Sequence, residues 1–196
     1  MSGLDIIAVT YGQDAILKCF INSIKAQTST DWTLHLVHDG PNEDLRNDLN
    51  DNGYLVKDKV IFYESEKRTG HHGHLLRSWA LQNVVTREYV LITNGDNYYV
   101  PVMVELVLQS PADFIYFDCV HNYPSPVFHN RSSYGYLTAE LRFGHIDMGC
   151  VVIESKLAQR VGFNHHHPCA DWSYFEEVLA QKPNTRRIDK ILFVHN

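Results

Sequence analysis

No apolar run in this 196-residue sequence approaches the roughly 18 residues that a membrane span requires. Its four cysteines, Cys19, Cys119, Cys150 and Cys169, stand far apart and form no CxxC pair, which excludes a zinc ribbon. Three of them fall in apolar runs and read as small core residues. The sequence has no GxGxxG for a dinucleotide and no GxxxxGK[ST] for a P-loop. Positive charge is scarce: 17 Lys and Arg against 23 Asp and Glu leave a net charge of −6, which argues against a nucleic-acid partner. Internal repeats and low-complexity tails are also missing. In "MSGLDIIAVTYG" an acid precedes a short apolar run, so the start does not read as a secretory leader. The expectation is a cytoplasmic chain with reduced thiols and no transmembrane segment.

What is present is a set of short, β-rich apolar runs: "IIAVT" (6–10), "LHLVH" (34–38), "VIFY" (60–63), "YVLIT" (89–93), "FIYFD" (114–118), "CVVI" (150–153) and "ILFV" (191–194). Several are continuous rather than alternating, as in strands buried on both faces. Helical patterns lie between them. In "DAILKCFINSIKAQ" Ile16, Leu17, Phe20, Ile21 and Ile24 share a face, and in "HLLRSWALQNVV" Leu75, Leu76, Trp79 and Val84 do so. "DWSYFEEVLAQ" carries acids in its first half and Pro183 beyond its end. Strands alternating with helices predict an α/β fold with a doubly wound, mostly parallel sheet. Residues 119–148, with Pro124, Pro126 and five aromatics, show no clean period and read as an irregular functional loop.

In open α/β sheets ligands bind outside the carboxyl ends of the strands. Polar residues follow several of the runs: Thr10-Tyr11-Gly12, then His38-Asp39-Gly40, then Arg68 to His72, then Asn94-Gly95-Asp96, and finally His195. A phosphate held by so acidic a chain needs a local cation. Asp96 is the carboxylate placed to hold a Mg²⁺ or Mn²⁺ ion, which takes one or two protein carboxylates plus phosphate oxygens. Asn94 to Asn97 is also good turn chemistry, so Asp96 could instead cap a helix starting near Pro101.

The segment "IIAVTYGQDAILKCFINSIKAQTSTDWTLHLVHDGPNED" resembles the opening of family 2-type glycosyltransferases of the GT-A fold, with their Thr-Tyr pair, "SLLAQT"-like phrase and "DDGS" strand end. "NGDN" resembles the place of their DxD metal motif, "IDMGCVVIESKLAQRVGF" their acceptor-side strand and helix, and "CADWSYFEEVL" their ED-type helix. The resemblance covers nearly the whole chain. It implies one three-layer α/β/α domain over 1–196, with residues 1–100 as the nucleotide-binding half and 101–196 as the acceptor-side half. With the sequence ending at Asn196, no appended acceptor domain is expected. The implied reaction moves a sugar from a UDP- or GDP-linked donor to a hydroxyl acceptor (a glycan, lipid or small molecule).

The resemblance also implies roles. Thr10, Tyr11 and Gly12 would line the base and ribose pocket, Asp39 would bond the base edge, and Arg68, Gly70, His71, Asn94 and Gly95 would border the nucleotide. Asp96 and His195 would ligate Mn²⁺ or Mg²⁺. Asp171 would be the general base, giving inversion, and Asp147, Gly149, His167 and Trp172 would contact the acceptor. Three departures stand out: Asn94 replaces the first acid of DxD, His38 the first acid of DDG, and Ala170 the Glu of ED.

Plainer readings stay open. Asp39 before Gly40-Pro41 is also a turn residue. Asp171 in the first turn of a helix is favoured there by the dipole, which would lower its pKa. "HHGH" (71–74) and "HHHP" (165–168) could be zinc clusters, although neither has helical HxxxH spacing. A non-catalytic nucleotide-sugar-binding protein, a sugar nucleotidyltransferase and a metal hydrolase are the rival functions.

Overall fold

The computed structural model describes residues 2–12, 14–122, 134–165, 167 and 169–196. Nine strands build one sheet: β1 (Leu4–Thr10), β2 (Trp32–His38), β3 (Val60–Glu64), β4 (Tyr89–Asn94), β5 (Tyr98–Tyr99), β6 (Phe114–His121), β7 (Gly135–Leu137), β8 (Val151–Glu154) and β9 (Thr185–His195). Their order is β3-β2-β1-β4-β8-β6-β9-β5, with β7 paired to β6. The pairs β2–β3, β1–β2, β1–β4 and β6–β9 are parallel. Strand β8 is antiparallel to both β4 and β6, so β6 and β9 point the same way as β1 to β4. Six strands therefore end on one edge of a largely parallel sheet.

The helices are α1 (Asp14–Lys25), α2 (Glu43–Asp51), α3 (His74–Asn83), α4 (Met103–Leu108), α5 (Ser155–Val161) and α6 (Ala170–Ala180). Period-2 alternation divides each strand between two cores. Leu4, Ile6 and Ala8 pack with Leu17, Phe20 and Ile21 of α1, and with α2 and α4. Ile7 and Val9 pack on the other face with Leu76 and Ala80 of α3, Leu157 of α5 and Tyr174 and Phe175 of α6. The result is the expected three-layer α/β/α arrangement. Among the described residues no helix is long and apolar enough to cross a membrane.

Three local expectations are corrected. Helix α3 does not bury Leu75 and Trp79, which are 41% and 43% exposed; it turns His74, Leu76, Arg77, Ala80 and Leu81 inward. Cys19 is exposed on α1 rather than in the core. The segment 119–148 is partly sheet: Cys119 to His121 complete β6, and Gly135–Leu137 pair back onto them. Pro124 and Pro126 lie outside the described residues.

At the edge opposite the strand ends, Asp5 is fully buried. It accepts from His35 Nε2 at 3.1 Å and from the amides of Thr86 and Arg87 at 2.6 and 2.8 Å. Burial pushes its pKa up, but His35 and the two amides outweigh burial and hold it below the usual carboxylate value. A depressed carboxylate stabilises the fold above its unfolded pKa, and that contribution is lost as pH falls through the folded value. Asp5→Asn should therefore lower unfolding free energy by about 2–3 kcal/mol at pH 7. Urea titrations of both proteins measure this, and the gap should close below about pH 4.

Candidate active site

Strand direction gathers the site. The ends of β1, β2, β4, β6 and β9 open into one cavity of about 960 Å³, closed on its far side by residues 143–149 and the start of α6. Of the residues expected to act there, Thr10, Tyr11, Asp39, Arg68, Gly70, His71, Asn94, Asp96, Asp147, Gly149, Asp171, Trp172 and His195 line it. Gly12, Gly95 and His167 do not. Gly12 adopts φ +65° at the turn after β1. Gly95 is pressed against Leu17 and Thr10, where a Cβ would lie 2.8 Å from Leu17 Cδ1. His167 turns its ring nitrogens to the Cys169 amide (3.2 Å) and the Ser173 hydroxyl (3.4 Å), back toward its own helix.

At one end of the cavity the Arg68 guanidinium stacks 4.0 Å from the Tyr11 ring centroid. Asp39 sits beneath the loop that follows β3. Its Oδ1 accepts from the Thr69 amide and hydroxyl (2.6 and 2.8 Å), and its Oδ2 accepts from the Gly70 amide at 2.9 Å. Burial raises its pKa, but these donors and the nearby Arg68 charge prevail and lower it. The carboxylate expected to meet a base edge is thus largely engaged in fastening a loop. That loop is strained: His71 and His72 both take positive φ, 50° and 53°, between Gly70 and Gly73 at 66° and 74°.

The β4 turn lies at the centre. Asn94 Oδ1 accepts from Arg77 Nη2 at 2.5 Å. Asp96 Oδ1 is buried and has no hydrogen-bond partner. Asp96 does not cap α4, whose N-cap is Val102 without a side-chain bond. Beyond it stands a group that the sequence reading did not assemble. His121 and His195 are directly paired on β6 and β9, and their rings stack at 4.5 Å. Asp147 Oδ2 lies 3.6 Å from His121 Nε2 and 3.8 Å from His195 Nε2. Burial pushes the Asp147 pKa up, yet His121, His195 and the Gly149 amide bring it below the usual value. Burial lowers that of His195, against the pull of Asp147 and Asp96.

Ligand atoms of His121, Asp147 and His195 all lie within 4.8 Å of one another. Two imidazoles and a carboxylate form a borderline N/O set that suits Mn²⁺ and its first-row neighbours. Asp96 lies outside that group, and its orphaned oxygen lines the same cavity. The residues present therefore fit a divalent cation, although His195 joins Asp147 and His121 rather than Asp96 alone. Asp147, expected at the acceptor, belongs to this group. Among the described residues this is the one such group: neither "HHGH" nor the described part of "HHHP" gathers ligands, and His166 lies outside the description.

On the far wall Asp171 occupies the first turn of α6. Its pKa is raised to about 6. Burial is the main cause and Asp147 adds to it, while Arg77 and His72 pull the other way. The expected depression by the helix dipole is overturned, because desolvation of a carboxylate outweighs a partial charge shared over one turn. Beside Asp171, Trp172 meets exposed Phe143 edge to face at 6.5 Å, giving the cavity mouth two flat apolar surfaces.

No protein-family model matches this sequence, and no curated protein matches it. Solved structures do match its fold. The S. aureus TarS 1-349 structure in complex with UDP-GlcNAc superposes at a TM-score of 0.75 and 15% identity, over 98% of this chain and 58% of that one. The mannosyltransferase PcManGT from Pyrobaculum calidifontis, in complex with GDP-Man and Mn²⁺, matches at 0.70 and 16%, over 98% and 56%. The chain spans less than two thirds of the length of either. At these identities the likeness carries the fold alone: this chain shares the α/β architecture of those two structures.

Proposed function

We propose that this chain is a metal-assisted glycosyltransferase that moves a sugar from a nucleoside diphosphate to a hydroxyl acceptor, with Asp171 as general base. The observation that carries the proposal is a carboxyl group poised at about pH 6 in the same cavity as a His/Asp/His cluster that can hold a cation. Two jobs need two environments. The departing diphosphate gathers negative charge, and the acceptor hydroxyl loses a proton. The fold neighbours in complex with UDP-GlcNAc and GDP-Man favour a sugar nucleotide as the donor.

In this reading the base and ribose lie toward Tyr11, Arg68 and Asp39, and the diphosphate lies over the β4 turn. His121, Asp147, His195 and Asp96 would hold Mn²⁺ or Mg²⁺, which when bound stabilises charge on the phosphate oxygens as a Lewis acid. Asp171 accepts the acceptor proton as the acceptor oxygen bonds to the anomeric carbon. The bond from that carbon to the phosphate oxygen breaks, and its electron pair leaves with the nucleoside diphosphate. Attack from the side opposite the leaving group inverts the anomeric centre. Trp172 and Phe143 offer flat faces to an acceptor that is itself a sugar.

Thermal unfolding with UDP and GDP, each with Mn²⁺, tests the donor site. A ligand at 100 times its Kd adds about 2.7 kcal/mol, a shift of several degrees. Asp96→Ala should reduce the gain that Mn²⁺ brings, and a gain of unchanged size removes Asp96 from the cation site. Asp171→Asn should cut sugar transfer by about 10²–10⁴-fold with nucleotide affinity unchanged. Retained turnover removes Asp171 from the chemistry.

The same variant has a stability signature. Asp171 titrates at about 6 when folded against 3.8 when free, so the unfolded chain binds fewer protons across that window. Stability therefore falls as pH rises through it, by up to about 3 kcal/mol. Asp171→Asn, neutral throughout, should be more stable than the parent at pH 8 and equal to it near pH 4. Urea unfolding at the two pH values measures the difference.

A further inference from the structure

Arg77 is 5% exposed on the inner side of α3 and lines the cavity. A guanidinium is charged at every accessible pH, and removing one from water is costly unless an anion compensates. Its bonded partners carry no negative charge. Nη2 donates to the Asn94 side-chain oxygen at 2.5 Å and Nη1 to His74 Nδ1 at 2.7 Å. Nε is buried without any partner. Among the described residues no carboxylate lies within ion-pair distance of it. Asp171, Asp147 and Asp96 act on it only through space, against the pull of burial.

The residue at position 94 decides what this charge is free to do. An aspartate there would accept the same bond and neutralise the guanidinium. Asparagine keeps the bond and leaves the charge uncompensated. Three of the five N–H groups remain unused, in a planar fork that matches phosphate geometry. The cavity presents four carboxylates, Asp39, Asp96, Asp147 and Asp171, and Arg68 lies with Tyr11 and Asp39, so a cation among Asp96, Asp147 and Asp171 is the protein's own counterweight to them.

We infer that Arg77, held by Asn94 rather than by a carboxylate, is a built-in cation for the donor diphosphate, so that a nucleoside diphosphate binds this chain even without a divalent ion. The inference rests on the reading of the cavity as a sugar-nucleotide site. Calorimetric titration with UDP and with GDP, in EDTA and then in Mn²⁺, tests it. The parent protein should bind one of them in EDTA, more weakly than in Mn²⁺. Arg77→Met should abolish binding in EDTA. Asn94→Asp, which keeps the shape of the β4 turn and all of Arg77, should weaken binding in EDTA about tenfold while the gain on adding Mn²⁺ grows. Parent protein that binds only with Mn²⁺, or Asn94→Asp with unchanged affinity in EDTA, overturns the inference and leaves the donor site standing. Absence of binding in both conditions overturns the inference and the donor site together.

Discussion

One buried positive charge surrounded by three carboxylates that do not touch it sets the electrostatics of this molecule's cavity. Arg77 is fixed by α3, Asp96 by the β4 turn, Asp147 by the start of a short 3₁₀ turn before β8, and Asp171 by the first turn of α6. Each comes from a different element, and no two of the acids are neighbours in sequence. They meet because six strands of one sheet run the same way and end together. Sheet direction thus has a chemical consequence: it concentrates like charge where water is scarce, and the protein must then manage that charge.

It does so by dividing the acids into two kinds. Asp147 is surrounded by donors, with two imidazoles and an amide, and these hold its pKa below the usual carboxylate value. Asp171 has a distant guanidinium and little else, and burial lifts it to about 6. Two carboxyls in one cavity whose pKa values are driven in opposite directions are the usual physical sign of divided labour. A group that stays anionic suits a cation. A group that holds its proton weakly near neutrality suits proton transfer. The distance between these roles is created by packing alone, since the two side chains are chemically identical.

The sequence reveals the scaffold more readily than the site. Continuous runs such as "IIAVT" and "LHLVH" are strands because their alternating residues feed two cores at once, and this local signal survives folding. Residues at strand ends were legible for the same reason: the end of an apolar run is visible, and the direction of a doubly wound sheet is predictable. Arg77 was not legible. Leu75 and Trp79 outscore it as inward residues on any apolar count, yet α3 buries Arg77 and leaves both of them half-exposed. Here a buried charge overrides the amphipathic pattern that normally orients a helix. His121 was hidden for another reason. Its partner His195 lies 74 positions away in sequence, and only the β6–β9 register, itself broken by shifts at Asp118, brings the rings together. No periodicity within either strand encodes that register. The pKa of Asp171 was misread because the dipole of its helix is a sequence-local quantity and its burial is not.

Asp39 lines the cavity at the end of β2 and at the same time fastens a loop, a duty its sequence position does not reveal. Its two oxygens already take three hydrogen bonds from Thr69 and Gly70. A carboxylate offers about four acceptor positions, so about one remains for any ligand. The loop it fastens runs through four consecutive residues with positive φ, two of them histidines that pay a steric cost for it. Such strain persists only where the surroundings over-determine the backbone. Here the determinants are the Asp39 clamp on one side and the packing of Gly73 against Val9 on the other, where a Cβ would lie 2.4 Å from a valine methyl. The loop in turn presents His71 and His72 to the cavity and starts the helix that carries Arg77. An acid at the end of β2 thus fastens the loop that leads into the helix carrying Arg77.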